Sequence, residues 1–482
     1  MSNHANFIAS ARDLLGERGF TCDAELLEPW LTDWRGRYTG AAIGMAQPAS
    51  TAEVASFVKL CGEHRIAIVP QGGNSGMSGG ATPDEGGQSV LLSLRRMNTI
   101  RDLDVEAQTA LCDAGVILQT LHEAAEAQDL RFPLTLGGKG SATIGGLIST
   151  NAGGTQVLRH GTMRAQVVGI EAVTADGQIF DNLTALKKDN RGFDLKQMLI
   201  GSEGTLGIIT AARLRLIPAI GTRVVAWVGL NSVHDARKLL TWCQRDFPDS
   251  LEGFEVVPEH CLQAVLNHEA AARAPLVEMH AWNALIEFVT PETDATSLQE
   301  AIETLLGAAL ENELVQDVVI ASNETQADAF WNLRDGISAA ERAIGPAMQH
   351  DISVPVDAMP DFIAEVGSAV EERFGGTVAA SFGHLGDGNV HFHVLAPKGV
   401  VPGEWELGQG REISGYVHDE VTRFGGSISA EHGIGQMKRD ELGRLGDPVA
   451  LSLMRSVKHA LDPQGILNPG KLVPLAPLDA SP

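Results

Sequence analysis

Apolar and polar positions fall into two textures on either side of Pro218. Before it, short apolar runs alternate with glycine-rich loops. An amphipathic helix opens the chain, and Val54, Phe57, Val58 and Cys61 recur at helical spacing over 51–64, which predicts a helix with one buried face. Strands are predicted at 66–69 and 89–94, an apolar patch follows at 110–116, then helices at 117–127 and 144–149, and a hairpin at 167–180 turned on Asp176-Gly177. A long alternating strand then runs to Ile217, where Pro218 ends it.

Beyond Pro218, strands predicted at 224–230, 285–289 and 315–321 alternate with helices at 232–243, 297–311 and 359–372. That alternation reads as an antiparallel sheet covered by helices, so the expected fold class is α+β. The stretch SFGHLGDGNVHFHVL, 381–395, is a strand, a tight turn and a second strand. Period-2 alternation puts His391, His393 and Leu395 on one face of the second strand and Val390, Phe392 and Val394 on the other, with His384 at the end of the first. Helices at 412–424 and 448–461 follow. The tail 461–473 carries two prolines and two glycines, and is expected to return and pack.

A length of 482 residues predicts two or three domains. The net charge of −25 argues against nucleic acid and anionic membrane as partners, so an anionic ligand must be held by local donors. The five cysteines are odd in number, widely spaced and without a C-x-x-C pair, which argues for a reducing compartment and against a thiolate metal site. No signal peptide and no apolar run of membrane-spanning length are read, so a cytoplasmic protein, at most peripheral to a membrane, is expected.

Three glycine clusters separated by about sixty residues suggest one extended ligand gripped at several places. The first, PQGGNSGMSGG, follows a predicted buried strand, and by itself reads equally well as a surface loop. In the second, amides at the start of the 144–149 helix are candidates for a phosphate or a ring carbonyl. Neither the dinucleotide fingerprint nor the P-loop pattern occurs. His384 and His391, with a carboxylate available at Glu431, have the composition of a divalent-metal site, against the plainer reading of unrelated hairpin histidines. An extended 429–432 segment would point Glu431 and His432 to opposite sides, one to bind metal and one to act as acid or base. Arg334, three residues after Trp331, is a candidate carboxylate clamp or an exposed ion pair.

Taken together, PQGGNSGMSGG, GGKGSATIGGLISTNAGG, IGSEGTLGIIT, GHLGDGNVH, SAEHG and DPQGILNPGK resemble the FAD-linked D-2-hydroxyacid dehydrogenases of the vanillyl-alcohol-oxidase-type flavoprotein superfamily. The similarity is greatest to the D-2-hydroxyglutarate and D-lactate dehydrogenases and spans about Asp33 to Val473. It implies an FAD-binding domain over 1–218, a substrate- and metal-binding cap with an antiparallel sheet over 219–440, and a returning segment over 441–482. Gly72, Gly73, Asn74, Ser75 and Gly76 then match the pyrophosphate loop, and Ser141, Thr143, Asn151 and Gly154 the second cluster near flavin and phosphates. Glu203, Gly204, Gly207 and Ile209 match the third cluster, near the adenosine, and Asn468 the asparagine close to the flavin ring. His384, His391 and Glu431 match metal ligands, usually zinc, and His432 the catalytic base. Arg334 matches the carboxylate-binding arginine, with Ser338, Gln349 and His393 at further substrate positions. No histidine in 71–80 marks a covalent link, so FAD is expected to be non-covalent.

Two departures bear on the substrate. Gln349 stands where the hydroxyglutarate enzymes have lysine, and His393 where asparagine is frequent. The expectation is therefore oxidation of a D-2-hydroxy acid to the 2-oxo acid by FAD and a divalent metal, with the chain length of the acid open. Electrons would pass to a protein or quinone acceptor, and a homodimer is the expected assembly. The competing readings are a metal-independent FAD oxidase of the aldonolactone or alditol type, and a metal-dependent hydrolase or nucleotide-binding module.

Overall fold

Thr51–His64 forms the helix its apolar spacing predicts: Ser50 caps it by accepting from the Glu53 amide, and Val54, Phe57, Val58 and Cys61 are buried. Burying each of the larger side chains stabilises by about 1.5–3 kcal/mol. In the computed structural model, which describes residues 3–186, 188–294 and 296–475, the chain divides into two compact units. One holds 3–154, 160–218 and 431–475, and the other 155–159 and 219–430. The first unit thus takes the chain back from Glu431, ahead of the expected boundary at 441. Within it, Glu203 receives the Ile434 and Gly435 amides at 2.7 and 2.8 Å.

The first unit has two main sheets. In one, Ala67–Gln71 pairs parallel with Ser89–Ser93, which pairs parallel with Met45–Ala46. The other is antiparallel, with Ile208–Arg215 at its centre between Thr109–Asp113 and Val167–Val173. The returning tail adds to the first sheet, since Leu467 bridges Ile68 in parallel and Ile466 and Leu467 join its core beside Val90 and Leu92. Lys458 fastens that return. Its ammonium donates to the Thr205 and Leu467 carbonyls at 2.8 Å and to Asp462 at 2.5 Å, while Asp462 also accepts from the Ile466 and Leu467 amides.

The second unit is built on a seven-stranded antiparallel sheet. Its spatial order is Asp317–Ile320, Thr222–Leu230, Trp282–Thr290, Leu251–Pro258, Val378–His384, Asn389–Leu395 and Ala347–Ser353. The hairpin has the predicted faces: Ala380, Phe382 and His384 stand opposite His393, His391 and Asn389. Helices Glu259–His268, Glu324–Asp335 and Ile337–Ile344 cover the face of Ala380 and Phe382, through Leu262, Phe330, Leu333 and Ile337. Phe392, on the opposite face, packs its ring 5.5 Å from Phe362 of Met359–Arg373. Leu251–Pro258 and Ala347–Ser353 were not among the expected strands. All eight residues of the first are buried, so it lacks the alternation that marks a half-exposed strand.

Replacing Lys458 with Ala leaves Asp462, 2% exposed, as a buried charge without its cation, a loss worth about 3–5 kcal/mol. Limited proteolysis is expected to cut between Asp462 and Lys471 in the variant at protease ratios that spare the parent protein. Equal resistance would mean that Lys458 does not hold the tail.

Candidate functional site

In the first unit the three glycine clusters converge on one cavity of ≈ 670 Å³. Gly72, Gly73, Asn74, Ser75 and Gly76 form one part of its wall, Ser141 and Thr143 another, and Glu203, Gly204, Gly207 and Ile209 a third. The glycines are there for space: a Cβ on Gly73 would sit 1.7 Å from the Ser141 carbonyl, and one on Gly204, which has φ +71°, 2.4 Å from Pro70 Cγ. Among the described residues, the lining contains no lysine or arginine. A bound diphosphate must therefore be met by backbone amides and hydroxyls. Thr143 Oγ1 is buried without a hydrogen-bond partner, a polar atom suited to a ligand.

Glu431 and His432 also line this cavity. Their segment is a series of bends rather than the extended run expected. The loop that follows is bound at several points. The Ser78 hydroxyl donates to the His432 and Gly433 carbonyls at 3.1 and 3.0 Å, and Glu203 takes the two amides beyond. Burial raises the Glu203 carboxyl above its ordinary pKa, opposed by those amides and by the charges of Lys438 and Lys471.

Three expected residues brace the cavity rather than form its wall. Asn151 ends Ile144–Thr150 at φ 50° and accepts from the Thr162 hydroxyl and Arg164 amide. Gly154 lies where a Cβ would be 2.1 Å from the Thr135 carbonyl. Asn468 donates to the Gly80 and Glu203 carbonyls, tying the first and third clusters together, and its Oδ1 is buried without a partner. Of the amides at the start of Ile144–Thr150, those of Ile144 and Gly145 donate to Val116 and Ala114, while Gly146 lies in the cavity wall. Gly145 serves packing, since a Cβ there would be 2.7 Å from Ala114 Cβ. Trp34 also lines the cavity, and no spacing signal in the sequence pointed to it.

In the second unit, His384 and His391 face each other across the hairpin with ring centroids 5.4 Å apart, and His393 follows 6.3 Å from His391. Glu255, on the adjoining strand and 0% exposed, holds this face together. One carboxylate oxygen takes the His384 Nδ1 proton, and the other takes Arg334 Nε at 2.8 Å. This fixes the His384 tautomer with Nε2 as the lone-pair atom, 3.4 Å from Arg334 Nη2. Burial alone would raise the Glu255 carboxyl; Arg334 and His384 more than reverse it and hold it at about 2. The His391 imidazole is pushed well below its ordinary range by burial, then by the positive charge of Arg334. It is therefore neutral, the form that ligates a metal. A tautomer-locked imidazole beside a neutral one suits a divalent cation.

Ser338 and Gln349 are partly buried, and Gln349 lies directly opposite His393 in the register, as Asp351 does opposite His391. Glu255 and Glu341, which binds His393 Nδ1 at 2.5 Å, were missed by sequence reasoning. For Glu255 the available signal was two glutamates inside an otherwise apolar strand, LEGFEVVP. A charge placed there needs a partner.

Two units of this kind, one with a glycine-lined cavity and one with an antiparallel sheet carrying imidazoles, define a two-domain flavoprotein. Residues 42–182 match the FAD binding domain, and residues 221–472 match the FAD linked oxidases, C-terminal domain. The chain is 37% identical over 465 residues to the mitochondrial D-2-hydroxyglutarate dehydrogenase of Arabidopsis thaliana, covering 96% of this chain and 80% of that one. It is 36% identical over 447 residues to the D-2-hydroxyglutarate dehydrogenase of Xanthomonas citri pv. viticola, covering 92% of each. Among solved structures, alkyldihydroxyacetonephosphate synthase shares the fold, with a TM-score of 0.75, 19% identity, and coverage of 97% of this chain and 85% of that one. The chain belongs to the FAD-linked oxidase family and is an FAD-binding oxidoreductase of the vanillyl-alcohol-oxidase-type fold.

Changing Glu255 to Gln leaves Arg334 without its carboxylate in a buried setting, a loss of about 3–5 kcal/mol. Hydrogen exchange of amides in Leu251–Pro258 and Val378–His384 is expected to accelerate at least about 100-fold, with Ala67–Gln71 of the first unit unchanged. Unchanged exchange in the second-unit strands would contradict the role given to Glu255.

Proposed function

We propose that the enzyme oxidises a D-2-hydroxy acid to the corresponding 2-oxo acid, with non-covalent FAD and a divalent cation, zinc by its donor set. The observation that carries this reading is the Glu255 clamp, which orients His384 and Arg334 together on the face that also bears a neutral His391. Support comes as well from relatives named for oxidation of D-2-hydroxyglutarate. When bound, FAD accepts the hydride from C2, and the cation lowers the pKa of the C2 hydroxyl.

The chain's own residues do the rest. His384 and His391 would supply imidazole ligands to the cation. Arg334, its Nε committed to Glu255, would turn its terminal nitrogens to a carboxylate oxygen of the substrate, which a planar guanidinium binds in a fixed orientation. His432, at the wall of the FAD cavity, would take the hydroxyl proton as hydride leaves C2. Its place there suits a base acting beside the flavin. The FAD cavity supplies no cationic side chain, so the cofactor would be gripped by backbone from Gly72 to Gly76 with Thr143. Reoxidation would use a protein or quinone acceptor. No helix among the described residues is long and apolar enough to cross a membrane.

His432→Ala is expected to retain FAD and metal yet slow flavin reduction at least about 100-fold, the scale for losing a positioned base. Anaerobic stopped-flow bleaching at saturating substrate measures it, and reduction at the parent rate would remove His432 from the role. His384→Ala with His391→Ala is expected to abolish bound metal by elemental analysis, and undiminished metal would overturn the ligand assignment.

A further inference from the structure

Two imidazole–carboxylate pairs share the covered face of the cap sheet, and they differ in what is left over. In the first, both Glu255 oxygens are engaged, one by His384 and one by Arg334. In the second, Glu341 Oε2 holds His393 Nδ1 at 2.5 Å, whereas Oε1 is buried with no hydrogen-bond partner. Glu341 is 2% exposed and His393 6%. A carboxylate oxygen so placed forfeits about 1–3 kcal/mol or more until a donor reaches it.

Two neighbouring polar side chains are less deeply buried than Glu341. Ser338, one turn earlier on Ile337–Ile344, is partly buried, as is Gln349 opposite His393. The Gln349 amide supplies both a donor and an acceptor without charge. The Phe382 ring lies 5.1 Å from His391 and 5.2 Å from His393, spanning the interval between the two pairs. The other charged groups near Glu341 are His260, whose imidazole feels the carboxylate, and its neighbour Arg342, which is exposed.

Resting on the function proposed above, we infer that Glu341, with His393 and Gln349, selects D-2-hydroxy acids whose tail ends in a hydrogen-bond donor, a hydroxyl or an amine. A second carboxylate has no proton to give Oε1 and would meet a like charge there. A plain alkyl tail would leave the oxygen as bare as it is without ligand. Glu341 is a specificity residue in this account and takes no part in hydride transfer.

The test uses the holoenzyme and four D-acids with five-carbon chains: 2,5-dihydroxypentanoate, 5-amino-2-hydroxypentanoate, 2-hydroxyglutarate and 2-hydroxypentanoate. Anaerobic flavin reduction is expected to give one of the two donor-tailed acids a kcat/KM at least about tenfold above the dicarboxylate and the alkyl acid; the pair separates hydroxyl from amine. Glu341→Gln is expected to remove that advantage through KM, leaving kcat/KM for 2-hydroxypentanoate within about twofold. Calorimetric binding of 5-hydroxypentanoate and glutarate to oxidised enzyme gives the same order without turnover. Preference for 2-hydroxyglutarate overturns the inference, and its loss in Arg342→Ala would assign tail recognition to that arginine. If Glu341→Gln fails to hold FAD, the parent enzyme's ranking decides. Bleaching by none of the four overturns the inference, and bleaching by neither these nor two-, three-, four- and six-carbon D-2-hydroxy acids removes the proposed function, a result distinct from bleaching with the wrong tail preference.

Discussion

The second unit depends on how one buried carboxylate is neutralised. Glu255 sits in a strand with no exposed residue, between two neighbouring strands, where an unpaired charge would be intolerable. Its two partners come from opposite directions: His384 from the next strand, and Arg334 from a helix lying on the sheet. Each partner is held by the demand of the same group, so the position of one constrains the other. Geometry imposed in this way is stiff, because moving either side chain strands a charge. The site proposed for a substrate carboxylate and a cation would benefit from that stiffness.

The first unit meets a different constraint. It must wrap a long anionic cofactor with no cationic side chain on the cavity wall, in a chain of net charge −25. The answer is backbone brought close, and the cost of ordering glycine-rich loops is met by braces behind them. Asn468 joins two clusters, Glu203 and Ser78 bind the loop after His432, and Lys458 closes the tail against the first sheet. Several of these braces adopt left-handed backbone, including Asn151, Glu203 and Asn468. Such strain persists only where the surroundings over-determine it.

Local patterning carried much of this structure. The helices Thr51–His64 and Pro448–Leu461 match the expected bounds, and the face assignment of the hairpin follows from period 2. The glycine clusters were legible because sterically required glycines are conspicuous. Fully buried strands were not, since Leu251–Pro258 shows no alternation, and Glu255 is 129 positions from the histidine it binds. The same distance problem hid Glu341. Its partner His393 was visible on the hairpin, but pairing depends on how Ile337–Ile344 lies over the sheet. The extended backbone assumed around Glu431 and His432 failed for another reason: that segment is a run of bends.

The central claim is that the imidazole face built around Glu255 is where a divalent cation binds. X-ray absorption at the metal edge of the enzyme as purified tests it most directly. The account predicts one metal per chain with a shell of nitrogen and oxygen only, imidazole scattering from two histidines, and distances of about 2.0–2.2 Å. Sulfur in the first shell, or a purified active enzyme without metal, would contradict it.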